Sequence, residues 1–178
     1  MKILYCILGL LVCIGAFGAG HAEAYVTTNQ TAKSFNSNTE LYTITYRFGA
    51  KDRDFYLPIS AFRDVQARGN ETLGYTILNG LSTTTHIGTT TALVLSQATI
   101  KDGRYVVPAG TAMDFTLVVV WQRPAGTSAI PYRLRVSSLP FTMNIRGTLY
   151  ENRLNPSELQ YYTTPPLYRI TASYTVKK

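Results

Sequence analysis

Two histidines, two cysteines and ten carboxylates are the side chains with which this 178-residue chain would have to bind a metal or do nucleophilic or acid–base chemistry. Their spacing supports little of it. A serine–histidine–acid site would be built around His86, yet the chain has no Gly-x-Ser-x-Gly elbow to present the serine. His86 lies in Ser82-Thr-Thr-Thr-His-Ile-Gly-Thr-Thr-Thr91, a near-palindromic threonine tract, and reads as an exposed loop histidine. Zinc sites take three or four Cys, His or carboxylate ligands, and nothing here clusters that way. There is no glycine-rich phosphate loop and no dinucleotide fingerprint.

A glycosidase needs two facing carboxyl groups, one buried so that it stays protonated. Asp52, Asp54, Asp64, Glu71, Asp102, Glu151 and Glu158 stand mostly beside turn signals instead. Lys51-Asp52-Arg53-Asp54 interleaves both signs, as a self-neutralising hairpin end does. Asp52 and Asp54 have the Asp-x-Asp spacing of a calcium loop but lack its glycine and distal acid. The reading is of a non-catalytic chain without cofactor or metal.

Arginine is the other reactive class. Arg47, Arg133, Arg135 and Arg169 each alternate with tyrosine or aliphatic residues along extended segments. Guanidinium forks on such a surface could contact phosphate, sulfate or carboxylate groups of an anionic polymer. Strand arginines also cover apolar neighbours with their stems and discourage edge pairing. The basic residues are dispersed without a run of three, so nucleic acid is not expected as a partner.

These residues sit behind an export signal. Met1-Lys2 is followed by residues 3–20 without a charge, and the stretch ends at Ala22-Glu23-Ala24. That order of positive, apolar and small-x-small segments is that of a secretory signal peptide cleaved between Ala24 and Tyr25. Cleavage would remove Cys6, Cys13 and His21 and leave a thiol-free chain that must rely on core packing and sheet hydrogen bonds. Retained, residues 3–20 would nearly reach the length of a membrane anchor. No later segment is long and apolar enough to cross as a helix. Residues 1–24 are therefore read as signal, 25–39 as a polar N-terminal arm and 40–178 as one domain. Asn29 and Asn70 begin N-glycosylation acceptors that would matter only in a eukaryotic host.

The domain reads as β throughout. Residues 41–48 alternate Tyr42, Ile44, Tyr46 and Phe48 with Thr43, Thr45 and Arg47, the period-two pattern of a half-buried strand. Residues 132–137 and 168–176 repeat it. Residues 114–122 are apolar on both faces after Thr116, which predicts a central strand covered on each side. Shorter strands are predicted at 55–59, 73–78, 92–96, 104–107 and 141–145. Asp102-Gly103 has the composition of a tight type I′ hairpin turn. Leu139-Pro-Phe-Thr-Met143 is similar to a Leu-Pro-x-Thr-Gly sorting signal, but methionine replaces its glycine, and a buried strand entering after proline accounts for it. Asn155-Pro-Ser-Glu158 offers the start of one short helix. The sum predicts an all-β chain, a single antiparallel β-sandwich of immunoglobulin-like or jelly-roll-like type with at most one short helix after the signal segment.

Residues 105–117, Tyr-Val-Val-Pro-Ala-Gly-Thr-Ala-Met-Asp-Phe-Thr-Leu, resemble the turn-then-strand seam of bacterial surface β-sandwich (immunoglobulin-like) domains. With residues 39–48 and 155–162 they are similar to uncharacterised secreted bacterial proteins. The resemblance implies a secreted or surface-displayed module and supplies no functional residues. The expectation is an exported structural or adhesive module, extracellular, periplasmic or at the cell surface, possessing no membrane span once the signal is cut. Its partner would be a cell-envelope component, a glycan or like subunits, with strand addition by the N-terminal arm as one route. Carbohydrate or anionic-polymer binding is the alternative, and a small outer-membrane barrel the third reading.

Overall fold

The computed structural model describes residues 22–34, 38–63, 71–80, 83–124, 130–154, 159 and 162–166. Its elements are strands: β1 (Ala22–Ser34), β2 (Thr39–Ala50), β3 (Phe55–Pro58), β4 (Ala61–Arg63), β5 (Leu73–Asn79), β6 (Thr83–Thr85), β7 (Thr89–Ser96), β8 (Ile100–Lys101), β9 (Arg104–Val107), β10 (Thr111–Gln122), β11 (Tyr132–Ser138), β12 (Pro140–Ile145) and β13 (Thr148–Arg153). They form three sheets, in the orders β1-β2-β10-β7, β11-β5-β4 with β6 also on β5, and β13-β12-β3-β9-β8. The sheets pack on one another as a sandwich-like all-β fold and do not close into a barrel.

The first sheet is one layer. Tyr42, Ile44, Tyr46 and Phe48 of β2 are fully buried, as are Phe115, Leu117, Val119 and Trp121 of β10. Period-two sequence places all eight on one face, where their removal from water supplies the main favourable term. The other two sheets share the opposite layer. At one end Phe48 meets Phe55 and Phe141 at ring distances of 5.7 and 5.4 Å, so the third sheet lies beneath it. At the other end Trp121 meets Tyr132 edge-on at 4.7 Å, so the second sheet lies there. The chain passes between these two sheets at Ser138-Leu139-Pro140, with Leu139 buried.

Predicted strands at 41–48, 55–59, 73–78, 92–96, 104–107, 132–137 and 141–145 are all present, with shifted ends. Phe141 and Thr142 are buried after Pro140, as a strand entering behind proline requires. The turn at Asp102-Gly103 has φ of 50° and 72°, the double left-handed geometry that glycine makes inexpensive. Three expectations change. β10 is central within its sheet but fully buried on one face only, since Phe115, Leu117, Val119 and Trp121 are buried while Val118 and Val120 on the other face are half-buried. The pairing is not purely antiparallel, since Ala61–Arg63 runs parallel to β5. The threonine tract is largely strand, Thr83–Thr85 pairing with β5 and Thr89 opening β7. The helix start at 155–158 and the strand at 168–176 lie outside the described residues.

Residues 22–34, the arm together with the end of the signal segment, form the edge strand β1. It pairs antiparallel with β2 from Ala22 opposite Ala50 to Ser34 opposite Glu40, with a register shift between Val26 and Gln30.

Candidate functional site

Most of the polar groups singled out in the sequence have a place in this frame, while Asp64 and Glu158 lie outside the described residues. His86 is exposed in the β6–β7 loop. That loop is held from below: Arg63 donates to the carbonyls of Thr85, Ile87 and Gly88, the last two at 3.0 Å, and the Trp121 indole N–H donates to the Ile87 carbonyl at 3.1 Å. Gly88 has φ of +73°, and a Cβ there would lie 2.3 Å from the Gln122 carbonyl oxygen, so only glycine fits. Trp121 is thus a core residue and is not available for stacking against a sugar. Asp54 accepts the Ala109 amide at 2.9 Å, and Asp52 pairs with Arg53 at 3.2 Å. Among the described residues no three His, Cys, Asp or Glu side chains come together as metal ligands.

Arg47 and the pair Arg133 and Arg135 do not form one site. Arg47 is on β2 in the first sheet, 3.8 Å from Asp114, with both side chains about half exposed. Arg133 and Arg135 share a face of β11 in the second sheet, where Arg133 donates to the Gly80 carbonyl at 3.1 Å. Arg169 and Asn70 lie outside the described residues. Ala22, Ala24 and Tyr25, the residues of the expected cleavage site, stand opposite Ala50, Phe48 and Arg47 within β1, and Asn29 belongs to the same strand.

A pair that sequence reasoning missed is the most buried charge among the described residues. Arg123 follows β10 and Glu40 begins β2; their side chains are 0% and 6% exposed and ion-paired. Tyr42 donates its hydroxyl to the same carboxylate. The guanidinium stands over the rings of Tyr132 at 4.4 Å and Trp121 at 5.4 Å, so cation–π attraction adds to the ion pair. Burial and the Glu40 carboxylate push the Tyr42 hydroxyl far above its ordinary pKa of 10.0, and burial does the same for Tyr46. Through the Arg123 amide, which donates to the Asn38 carbonyl at 2.7 Å, this cluster also fixes the entry into β2 from β1. The two residues are 83 positions apart and carry no local signal; only the register of β2 with β10 joins them.

The surface that remains is the outer face of the first sheet. Thr43, Thr45 and Leu41 of β2, Thr116, Val118 and Val120 of β10, and Thr91, Leu93 and Leu95 of β7 share it. Cross-strand hydroxyl pairs tie Thr31 to Thr43 at 2.6 Å and Thr45 to Thr116 at 2.9 Å. Leu93 and Leu95 are 43% and 53% exposed, which is unusual for leucines on adjacent rows of one strand. A recess of 510 Å³ opens at the corner of this face beside Leu95, Asp114 and Thr116. The strand predicted at 92–96 placed Leu93 and Leu95 on one face but did not show that both would stay exposed. Compared with known proteins, the chain matches no family model and no curated protein.

Proposed function

We propose that the chain is a non-catalytic, exported β-sandwich module of the cell envelope, immunoglobulin-like in type, that works by assembling with like subunits through its N-terminal strand. The observation that carries this reading is β1: it lies at a sheet edge and has β2 as its pairing partner along its length. Among its described side chains, Ala32 packs on the core while Thr31, Lys33 and Ser34 are exposed. Beside these contacts a ladder of backbone hydrogen bonds joins β1 to β2, and the same ladder forms whether β1 comes from its own chain or from a neighbour. Exchange of an edge strand between identical subunits costs little, because no contact is lost and only chain connectivity changes.

Export supports the same reading. Cleavage between Ala24 and Tyr25 would shorten β1 and free the β2 edge at Phe48, Gly49 and Ala50, so that the mature sheet carries an open segment beside its N-terminal strand. Carbohydrate or anionic-polymer binding has less support, since Arg47 is on a different sheet from Arg133 and Arg135 and Trp121 is buried.

The test is a concentration series of the secreted protein by light scattering, together with binding to whole cells, glycans and anionic polymers. The reading expects oligomers whose population rises with concentration. A protein that stays monomeric and binds only glycans or polymers would replace it with the binding alternative.

A further inference from the structure

We propose that the outer face of the first sheet is a contact surface for a second copy of this chain, packed face to face about a two-fold axis. Across the face, register rows run from β1 to β7. One row is Thr31, Thr43, Val118 and Leu93; the next is Lys33, Leu41, Val120 and Thr91. The centre is uncharged, and the exposed Leu93 and Leu95 stand along one margin. The charges on its described residues are Arg47 and Asp114, adjacent on β2 and β10 in a single row, and Lys33 at the β1 margin, which the two-fold described next sets over the row of Thr91.

Their placement selects the occupant. A two-fold axis lying parallel to the strands, between β2 and β10, lays β2 of one copy over β10 of the other. Rows keep their level under that operation. Arg47 then meets Asp114 of the second copy, and Asp114 meets Arg47 of the second copy, turning one half-exposed pair into a four-charge network. In the same arrangement β7 lies over β1 of the second copy, so Leu93 falls on the row of Thr31, where side chains are small. A two-fold across the strands would instead lay β10 on β10 and β2 on β2, so that Arg47 and Asp114 would not meet across it. Sheets stacked face to face in this way are the ordinary packing of a β-sandwich.

The size fits a reversible association. Four strands spaced about 4.8 Å apart, over the eight residues of β7 at about 3.3 Å per residue, give a footprint of roughly 500 Å² per copy. The pair then covers about 1,000 Å², the lower bound for a specific interface. The face is the same whichever copy supplies β1, so this contact does not depend on strand exchange.

Sedimentation equilibrium on the secreted protein tests it with two charge reversals, Arg47→Asp and Asp114→Arg. Each variant alone sets like charges against each other across the two-fold and is expected to raise the dimer dissociation constant at least tenfold. An equimolar mixture of the two variants restores attraction at both contacts and is expected to recover wild-type affinity. Leu95→Lys, at an exposed position, is expected to weaken the dimer while leaving the thermal unfolding midpoint unchanged. A wild-type chain that is monomeric at every soluble concentration overturns the proposal. So does a mixture that associates no better than either variant alone, and so does a dimer indifferent to all three changes, which is what strand exchange without this contact would give.

Discussion

Arg123 has no contact with solvent, and a guanidinium so placed is stable only while a carboxylate shares its burial. Removing one partner leaves the other as an uncompensated buried charge, so Arg123→Met or Glu40→Leu alone should cost about 3–5 kcal/mol in urea unfolding. The double replacement should recover much of that loss, because both charges then leave together. A double variant no more stable than either single one would show that the cluster's packing, not its charge balance, is what matters. The tyrosines give a pH dependence of definite sign. Tyr42 and Tyr46 have folded-state pKa values raised by burial above the ordinary 10.0, so the folded chain keeps their protons when the unfolded chain releases them. Their contribution to stability is complete below pH 10 and is lost progressively as the pH rises above it. Thermal midpoints should stay level from neutral pH to about 9 with respect to these groups and fall beyond 10, and the Tyr42→Phe, Tyr46→Phe double variant should flatten that alkaline fall.

At the scale of elements, legibility followed burial. β2 and β11 were readable because each has a buried face with a complete period-two pattern, Tyr42 to Phe48 and Tyr132 to Val136. β10 was readable because of its continuous apolar run, which hid that only the Phe115 to Trp121 face is fully buried. β13 was not, since all six of its residues are exposed and its pairing with β12 rests on a tight turn at Arg146 and Gly147, with φ of 51° and 84°. Arginine is not a residue that announces such a turn. β4, β6 and β8 are two or three residues long, too short to carry a period-two pattern of their own, and are defined by the strand beside them. The threonine tract likewise concealed its order, which comes from Arg63 and Trp121 gripping its backbone. Gly88→Ala tests that grip. The left-handed backbone and the Gln122 carbonyl both exclude a Cβ, so the variant should lose more than about 1 kcal/mol, with hydrogen exchange rising first in residues 86–90. Exchange spread evenly over the domain would mean the loop is not anchored as an independent unit.

For the whole molecule, composition and alternation were enough for an all-β chain with packed antiparallel sheets. They did not disclose that one layer is divided between two sheets, nor that Leu93 and Leu95 stay exposed on the outer face of the other, because both depend on how strands far apart in sequence come together. Among the described residues Arg47 fell on a different sheet from Arg133 and Arg135. What the assembled molecule offers is a long N-terminal edge strand. Its exchange between subunits can be read from one disulfide. Thr31 and Thr43 are register partners with touching hydroxyls, a placement within reach of a disulfide once both are cysteine. Chains starting at Tyr25 hold no other thiol. Chains carrying only Thr31→Cys are mixed with differently tagged chains carrying only Thr43→Cys, incubated, and oxidised. The account predicts a disulfide-linked heterodimer that carries both tags and accumulates with concentration. A mixture yielding no such species, while a single chain carrying both substitutions closes its own disulfide fully, would contradict it.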